Sequence, residues 1–256
     1  TRGRRGAGSA RSLRARIETG KMYLSIIVPA YNEEARIDDS LRKLIAYLSS
    51  QDYSWEVLVA DDGSADATAS LVEAHSTDER VRLLQLPHRG KGGAVKAGML
   101  QAKGRYRMMC DADLAMPVEW IAGFVEAMER GHDVIIGSRQ IQGARRFDEP
   151  ASRHLMGRLF NWCVRLVAVA NFQDTQCGFK CFSAEAAERL FPLQRSTGFG
   201  FDVEILFLAS RAGLDVIETP IDWYHQPNSK VRPVIDAALM LKDALAIRLN
   251  SALGRY

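Results

Sequence analysis

Asp111-Ala-Asp113 follows an apolar run, and two carboxylates one residue apart at a strand end can turn their oxygens to the same side. Such a pair supplies hard ligands to a divalent cation that keeps its other positions for substrate phosphates, and magnesium or manganese is the natural occupant. On its own the tripeptide would read as an Asp-rich turn with capping work. Here other strand ends carry similar groups: Pro29-Ala-Tyr31-Asn-Glu33, Asp61-Asp62-Gly63-Ser64-Ala-Asp66-Ala-Thr68 and Gly137-Ser138-Arg139. Asp66 and Thr68 can cap a helix. Asp62 reads equally as a turn residue or as the carboxylate that accepts hydrogen bonds from a nucleobase or ribose. His88-Arg-Gly-Lys91-Gly-Gly-Ala is glycine-rich at a strand-to-helix junction, where backbone amides could face an anion with Lys91 as a point charge.

The same residues remove other chemistries. Val95 occupies the last glycine position of Gly-x-Gly-x-x-Gly, and Gly-x-x-x-x-Gly-Lys-Ser/Thr does not occur, so dinucleotide redox chemistry and P-loop phosphoryl transfer both lose support. The five histidines lack metal-ligand spacing, and no Gly-x-Ser-x-Gly elbow is present. Cys110, Cys163, Cys177 and Cys181 form no Cys-x-x-Cys pair and read as buried free thiols.

These groups need a scaffold that brings several strand ends together. From residue 23 onward, short β-branched runs alternate with helical patterns, the signature of an α/β fold: a Rossmann-like, mostly parallel sheet flanked by helices. Strands are predicted over 24–30, 55–60, 81–86, 105–110, 133–137 and 216–224. Helices are predicted over 66–76, 92–102, 118–130, 152–170 and 201–212. One more carries Ile37, Leu41, Leu44 and Leu48 on one face. Residues 140–150 read as a mobile loop. In open parallel sheets ligands bind beyond the carboxyl ends of the strands, where the polar residues here collect.

At 256 residues, 47% hydrophobic and 25% charged, the chain can bury a sizeable core, which excludes collagen-like, low-complexity and disordered classes. The net charge of +3 is uneven: residues 1–22 hold seven of the 34 basic side chains and one acid, leaving the rest at −3. That arm lacks aromatic residues and reads as disordered, able to meet anionic lipid or nucleic acid, or as a solvated leader. The expected organisation is an arm over 1–22, one domain over 23–232 and an amphipathic helix over 233–256. The helix carries Ile235, Leu239, Leu241, Leu245, Ile247 and Leu249 on one stripe, with Lys242, Asp243 and Arg248 opposite. Its stripe is expected to pack on the domain. No run reaches about 18 apolar residues and no signal-peptide h-region is seen, so the expected location is the cytoplasm.

In this order and spacing, Pro-Ala-Tyr-Asn-Glu, Asp-Asp-Gly-Ser-x-Asp-x-Thr, Gly-Lys-Gly-Gly-Ala and Asp-Ala-Asp resemble the inverting family 2 glycosyltransferases of the GT-A fold. Gly137-Ser-Arg139, Asp174-Thr-Gln-Cys-Gly-Phe-Lys180, Phe201-Asp-Val-Glu204 and Asn228-Ser-Lys230 are most similar to the dolichyl-phosphate or polyprenyl-phosphate glucosyltransferase branch, with dolichyl-phosphate mannose synthases as relatives. The resemblance implies that Pro29, Tyr31 and Glu33 line the nucleotide, that Asp62 holds the base, and that Asp111 and Asp113 bind ribose, diphosphate and metal. It further implies that Lys230 closes over the diphosphate and that Arg139 and Arg153 grip the acceptor phosphate, with Arg158 competing for Arg153's part. Asp174 would orient the acceptor or take a proton, or serve as a turn residue. The implied partners are a nucleotide sugar, UDP-glucose before GDP-mannose, and a polyprenyl phosphate reached by peripheral contact at the cytoplasmic face of a membrane. The Gln-x-x-Arg-Trp motif of processive synthases is absent.

Two other readings stand beside this one. Transfer to a hydroxyl acceptor, as in cell-envelope or exopolysaccharide synthesis, would need a base, and Asp202 and Glu204 are the candidates. A non-catalytic protein would use the basic arm on nucleic acid, a partner not expected from the rest of the chain.

Overall fold

The computed structural model describes residues 22–148, 171–226 and 233–256. The expected arm over 1–22, the helix over 152–170, and Arg153, Arg158 and Lys230 lie outside those residues, Met22 excepted.

Nine strands and seven α-helices are assigned among the described residues. The first half runs β1 (Leu24–Ala30), α1 (Ile37–Ser49), β2 (Trp55–Asp61), α2 (Thr68–His75), β3 (Val81–Gln85), α3 (Lys91–Gln101), β4 (Tyr106–Cys110), α4 (Trp120–Glu129) and β5 (Val134–Ser138). The second half runs β6 (Arg145–Phe147), β7 (Phe179–Ser183), α5 (Ala184–Leu190), α6 (Phe201–Arg211), β8 (Val216–Pro220), β9 (Asp222–Tyr224) and α7 (Pro233–Ala252).

Seven strands form one sheet in the order β3-β2-β1-β4-β7-β5-β8. All its neighbours are parallel except β7, which runs antiparallel to both β4 and β5. Every residue of β1, β2, β4 and β5 is buried, as strands covered by helices on both faces require. On one face α1 lays Ile37, Leu41, Leu44 and Leu48 into the core, the four residues whose spacing predicts it. Burying each contributes about 1.5–3 kcal/mol. The chain winds outward from β1 to β2 and β3, then returns to β4 on β1's other side. That reversal opens a crevice beyond the carboxyl ends of β1 and β4.

The structure departs from the sequence expectations in three places. Residues 140–150 are not wholly loop: Arg145–Phe147 forms β6, paired in parallel with β9. An Arg145–Asp222 ion pair and stacking of Phe147 on Tyr224 at 4.5 Å tie the two strands. The run 216–224 is not one strand but two, in different sheets, divided at Ile221. Among the described side chains of α7, Met240, Ala244 and Ile247 are buried while Leu239, Leu241, Leu245 and Leu249 are exposed, so those four leucines of the predicted stripe face away from the domain. No helix of the described residues is long and apolar enough to cross a membrane. Cys110, Cys177 and Cys181 are buried free thiols.

Candidate active site

The crevice is built from loops stitched across β1 and β2. Beyond β1 the chain turns through Asn32, whose φ of 51° is left-handed. Its amide donates to Ser64 Oγ at 2.8 Å, and its Oδ1 accepts the Ala65 amide at 2.8 Å. Glu33's amide donates to Thr68 Oγ1 at 2.7 Å, and its carboxylate meets Arg36 at 2.7 Å. Asp66 accepts the Thr68 amide at 3.0 Å from one residue before the cap position of α2, which is Ala67 and makes no side-chain cap bond.

Asp62 does something the sequence did not indicate. It is buried and divides its two oxygens between the Arg89 and Gly90 amides, each at 2.8 Å, with His88 Nδ1 also at 2.8 Å. The carboxylate assigned to the base thus shapes the 88–90 loop and holds His88 stacked on Tyr31, ring centroids 4.3 Å apart. That stack presents an exposed aromatic surface at the ends of β1 and β2.

Gly90, at φ 104°, then lets the chain enter α3. A Cβ there would lie 2.6 Å from the Thr197 carbonyl oxygen, and one on Gly92 would lie 2.7 Å from Phe201 Cβ. The two glycines therefore allow the start of α3 to abut the start of α6, bringing Lys91 and Asp202 into one electrostatic neighbourhood. Lys91 Nζ sits 2.6 Å from Asp111 Oδ1. Burial opposes its charge, but the carboxylates of Asp111 and Asp202 outweigh burial and raise its pKa.

Beyond β4, the Asp111-Ala-Asp113 turn is fixed by Ser40 Oγ donating to the Ala112 carbonyl at 2.7 Å and by the Ala115 amide donating to Asp113 Oδ1 at 3.1 Å. Leu114 follows at φ 44°, a conformation unfavourable for a branched side chain and characteristic of functional turns. Burial, then the like charge of Asp111, raises the pKa of Asp113. No group of three or more His, Cys, Asp or Glu side chains converges as a metal cage among the described residues. Two partly exposed carboxylates that repel one another nonetheless fit a cation whose remaining ligands come from phosphate and water.

Arg139 and Asp174 form the other wall. Asp174 is fully buried and accepts Arg139 Nε at 2.7 Å, Nη2 at 2.9 Å and the Arg139 amide at 2.9 Å. Glu218 in turn accepts the amides of Gln173 and Asp174 at 2.8 and 3.0 Å. Although burial alone would raise it, Arg139 holds the Asp174 carboxyl down to about 2. With both oxygens engaged by Arg139, the carboxylate is placed to orient the guanidinium. The guanidinium also lies 5.5 Å from the Trp223 ring centroid.

Both candidate bases for a hydroxyl acceptor are committed elsewhere. Asp202 meets the buried Lys180 ammonium at 2.5 Å. Glu204 accepts the amides of Arg195 and Ser196 and the Tyr256 hydroxyl at 2.6–2.9 Å. Two further residues enter the site without an assigned sequence role. Lys180 pairs with Asp202 from the second position of β7. Gly178 precedes β7 and presses against Asp111, whose Oδ2 would lie 1.8 Å from a Cβ there. A lone lysine within Cys-Gly-Phe-Lys-Cys-Phe was the available signal for the first, since only a paired lysine tolerates such burial.

The model of the family described as glycosyl transferase family 2 matches residues 25–190. A dolichyl-phosphate beta-glucosyltransferase of Dictyostelium discoideum is 37% identical over 91% of this chain and 76% of its own length. Proteins of the same name from Saccharomyces cerevisiae and Homo sapiens are 32% and 33% identical over 92% and 91% of this chain and 77% of each relative. Among solved structures, glucosyl-3-phosphoglycerate synthase from Mycobacterium tuberculosis with phosphoglyceric acid shares the fold at a TM-score of 0.69. It is 19% identical, with 94% of this chain and 83% of that chain covered. The same synthase with Mn2+ and UDP-glucose gives a TM-score of 0.65 at 21% identity, over 95% and 82% of the two chains.

Proposed function

Because the chain belongs to glycosyl transferase family 2 and is a glycosyltransferase, we propose that it moves glucose from UDP-glucose to a polyprenyl or dolichyl phosphate, with inversion at the anomeric carbon. The observation that carries this reading is the pairing of opposed walls. Carboxylates at 111 and 113 stand beyond β4, and a carboxylate-braced arginine at 139 stands beyond β5, with the β7 approach between them.

In this reading Pro29, Tyr31 and Glu33 line the nucleotide, with Asp62 shaping the loop beside it. Lys91 and Lys230 meet the diphosphate. Mg2+ or Mn2+ held by Asp111 and Asp113 would supply Lewis-acid stabilisation of the departing diphosphate's charge. Mn2+ and UDP-glucose in the solved synthase support that donor chemistry. Arg139 and Arg153 orient the acceptor phosphate, and Arg139 is preorganised by Asp174 before any substrate arrives. A phosphate monoester with a second pKa of about 6 is mostly dianionic at neutral pH, so it attacks without a strong general base. The commitment of Asp174, Asp202 and Glu204 to internal partners agrees with that chemistry and disfavours a hydroxyl acceptor. The acceptor's lipid calls for peripheral membrane contact at a cytoplasmic face, for which the exposed leucines of α7 offer an apolar surface.

The test is a panel of labelled nucleotide sugars incubated with a polyprenyl phosphate and a divalent cation. UDP-glucose should give a lipid-extractable product whose label is released by mild acid. Label confined to a stable glycoside, or transfer from GDP-mannose alone, would overturn the proposal.

A further inference from the structure

Lys91 is the first helical residue of α3, and its side chain reaches Asp111 at 2.6 Å with only about a fifth of its own surface exposed. One of the two carboxylates assigned to the cation therefore carries a positive partner supplied by the chain itself. The main chain at that point has no room to retreat toward α6. The contacts that Cβ atoms would make at Gly90 and Gly92 show backbone already pressed on Thr197 and Phe201. Any departure of the ammonium is a swing of its four-carbon stem, and only an anionic destination replaces the pairing that it gives up; a swing into water does not. Asp202 is the neighbouring carboxylate, but its Oδ1 is held by the buried Lys180 at 2.5 Å. Asp113 is within the electrostatic reach of Lys91, yet it belongs to the same cation site. A donor diphosphate would bring oxygens that can take the ammonium while bridging to the cation.

Resting on the donor site proposed above, we propose that Lys91 reserves Asp111 as a resident counter-ion and releases it only when a nucleoside diphosphate arrives to receive the ammonium. Lys91 thereby makes cation binding conditional on the nucleotide, because a bare cation must displace it without offering a new partner. Coupling of this kind, carried by one differential contact, commonly amounts to about five- to 150-fold in affinity.

The experiment measures Mn2+ binding to the full chain by electron paramagnetic resonance, with Mn2+ alone and with saturating UDP, and needs no turnover. In the parent protein Mn2+ alone should bind weakly, and UDP should tighten it. Lys91→Met should bind Mn2+ alone about tenfold or more tightly than the parent, and the gain produced by UDP should shrink by a similar factor. Lys91→Arg, which keeps the charge, should stay near the parent. Lys91→Gln replaces the methionine variant if that chain does not fold. Neutral variants that bind Mn2+ alone no more tightly than the parent would overturn the inference while leaving the donor site intact. Failure of the parent to bind Mn2+ even with UDP would instead overturn the donor-site reading and this inference with it.

Discussion

Arg139 and Asp174, 35 residues apart in sequence, meet through both carboxylate oxygens, and the Arg139 amide closes a third contact. The fork is thus held by its base as well as its tip, and the carboxylate is anchored by Glu218 through the preceding turn. Asp174→Asn would keep the size of that anchor while removing its charge. We expect the Michaelis constant for the lipid phosphate to rise about tenfold, a loss typical of a charge-assisted contact, with UDP affinity unchanged. Parallel losses in acceptor and UDP binding would show that Asp174 supports the whole crevice and not Arg139 in particular.

The same pair predicts a pH dependence of stability. Asp174 titrates at about 2 in the folded chain against an ordinary 3.8. A depressed carboxyl contributes stability that is present above the unfolded value and is lost as pH falls from about 4 toward 2, here about 2 kcal/mol. Urea unfolding of the parent at a series of pH values should show that acid-side decline. Asp174→Asn should be less stable at neutral pH and flatter over the acid range. Superimposable slopes for the two proteins would contradict the assignment.

Asp113 carries the opposite sign. Burial and Asp111 raise its pKa, so its charged form opposes folding; the stability it contributes is present at low pH and lost as pH rises through the folded value. Asp113→Asn should therefore melt at a higher temperature than the parent at pH 7, while transfer falls about 100-fold or more through loss of a preorganised ligand. Calorimetry beside a transfer assay separates the effects. A variant that melts lower would remove the repulsion argument, and one that keeps substantial activity would remove the metal role.

The strand ends were legible because β-branched runs and a four-three-four apolar spacing are local signals, and α1 buries the residues that its spacing names. What stayed hidden depends on distant partners. β7 contains Lys180, and a lysine interrupts an apolar run until Asp202, 22 residues on, neutralises it. Asp62 has a plausible ligand-binding pattern, but its oxygens are claimed by amides 27 and 28 residues later. β6 is a three-residue arginine-rich segment whose pairing comes from Asp222 and Tyr224. In each case periodicity records burial along one element, whereas the deciding contact crosses to another.

Gly178 offers the sharpest test of how the site is assembled, because its effect passes through a single neighbour. A Cβ there would stand 1.8 Å from Asp111 Oδ2 and 2.3 Å from its Cγ, distances that no side chain tolerates, so the carboxylate must move. Moving it turns one oxygen away from its partner at 113, and that loss of paired geometry outweighs the release of the carboxylate from Lys91. Gly178→Ala should therefore weaken Mn2+–UDP binding about tenfold or more. Gly123, on the exposed side of α4 with nothing within 4 Å of its Cβ position, provides the control. Gly123→Ala should leave binding unchanged and raise stability by about 0.5–1 kcal/mol through helix propensity. If Gly178→Ala binds Mn2+–UDP as the parent does, Asp111 is not fixed by that close approach, and the geometry assigned to the paired carboxylates is wrong.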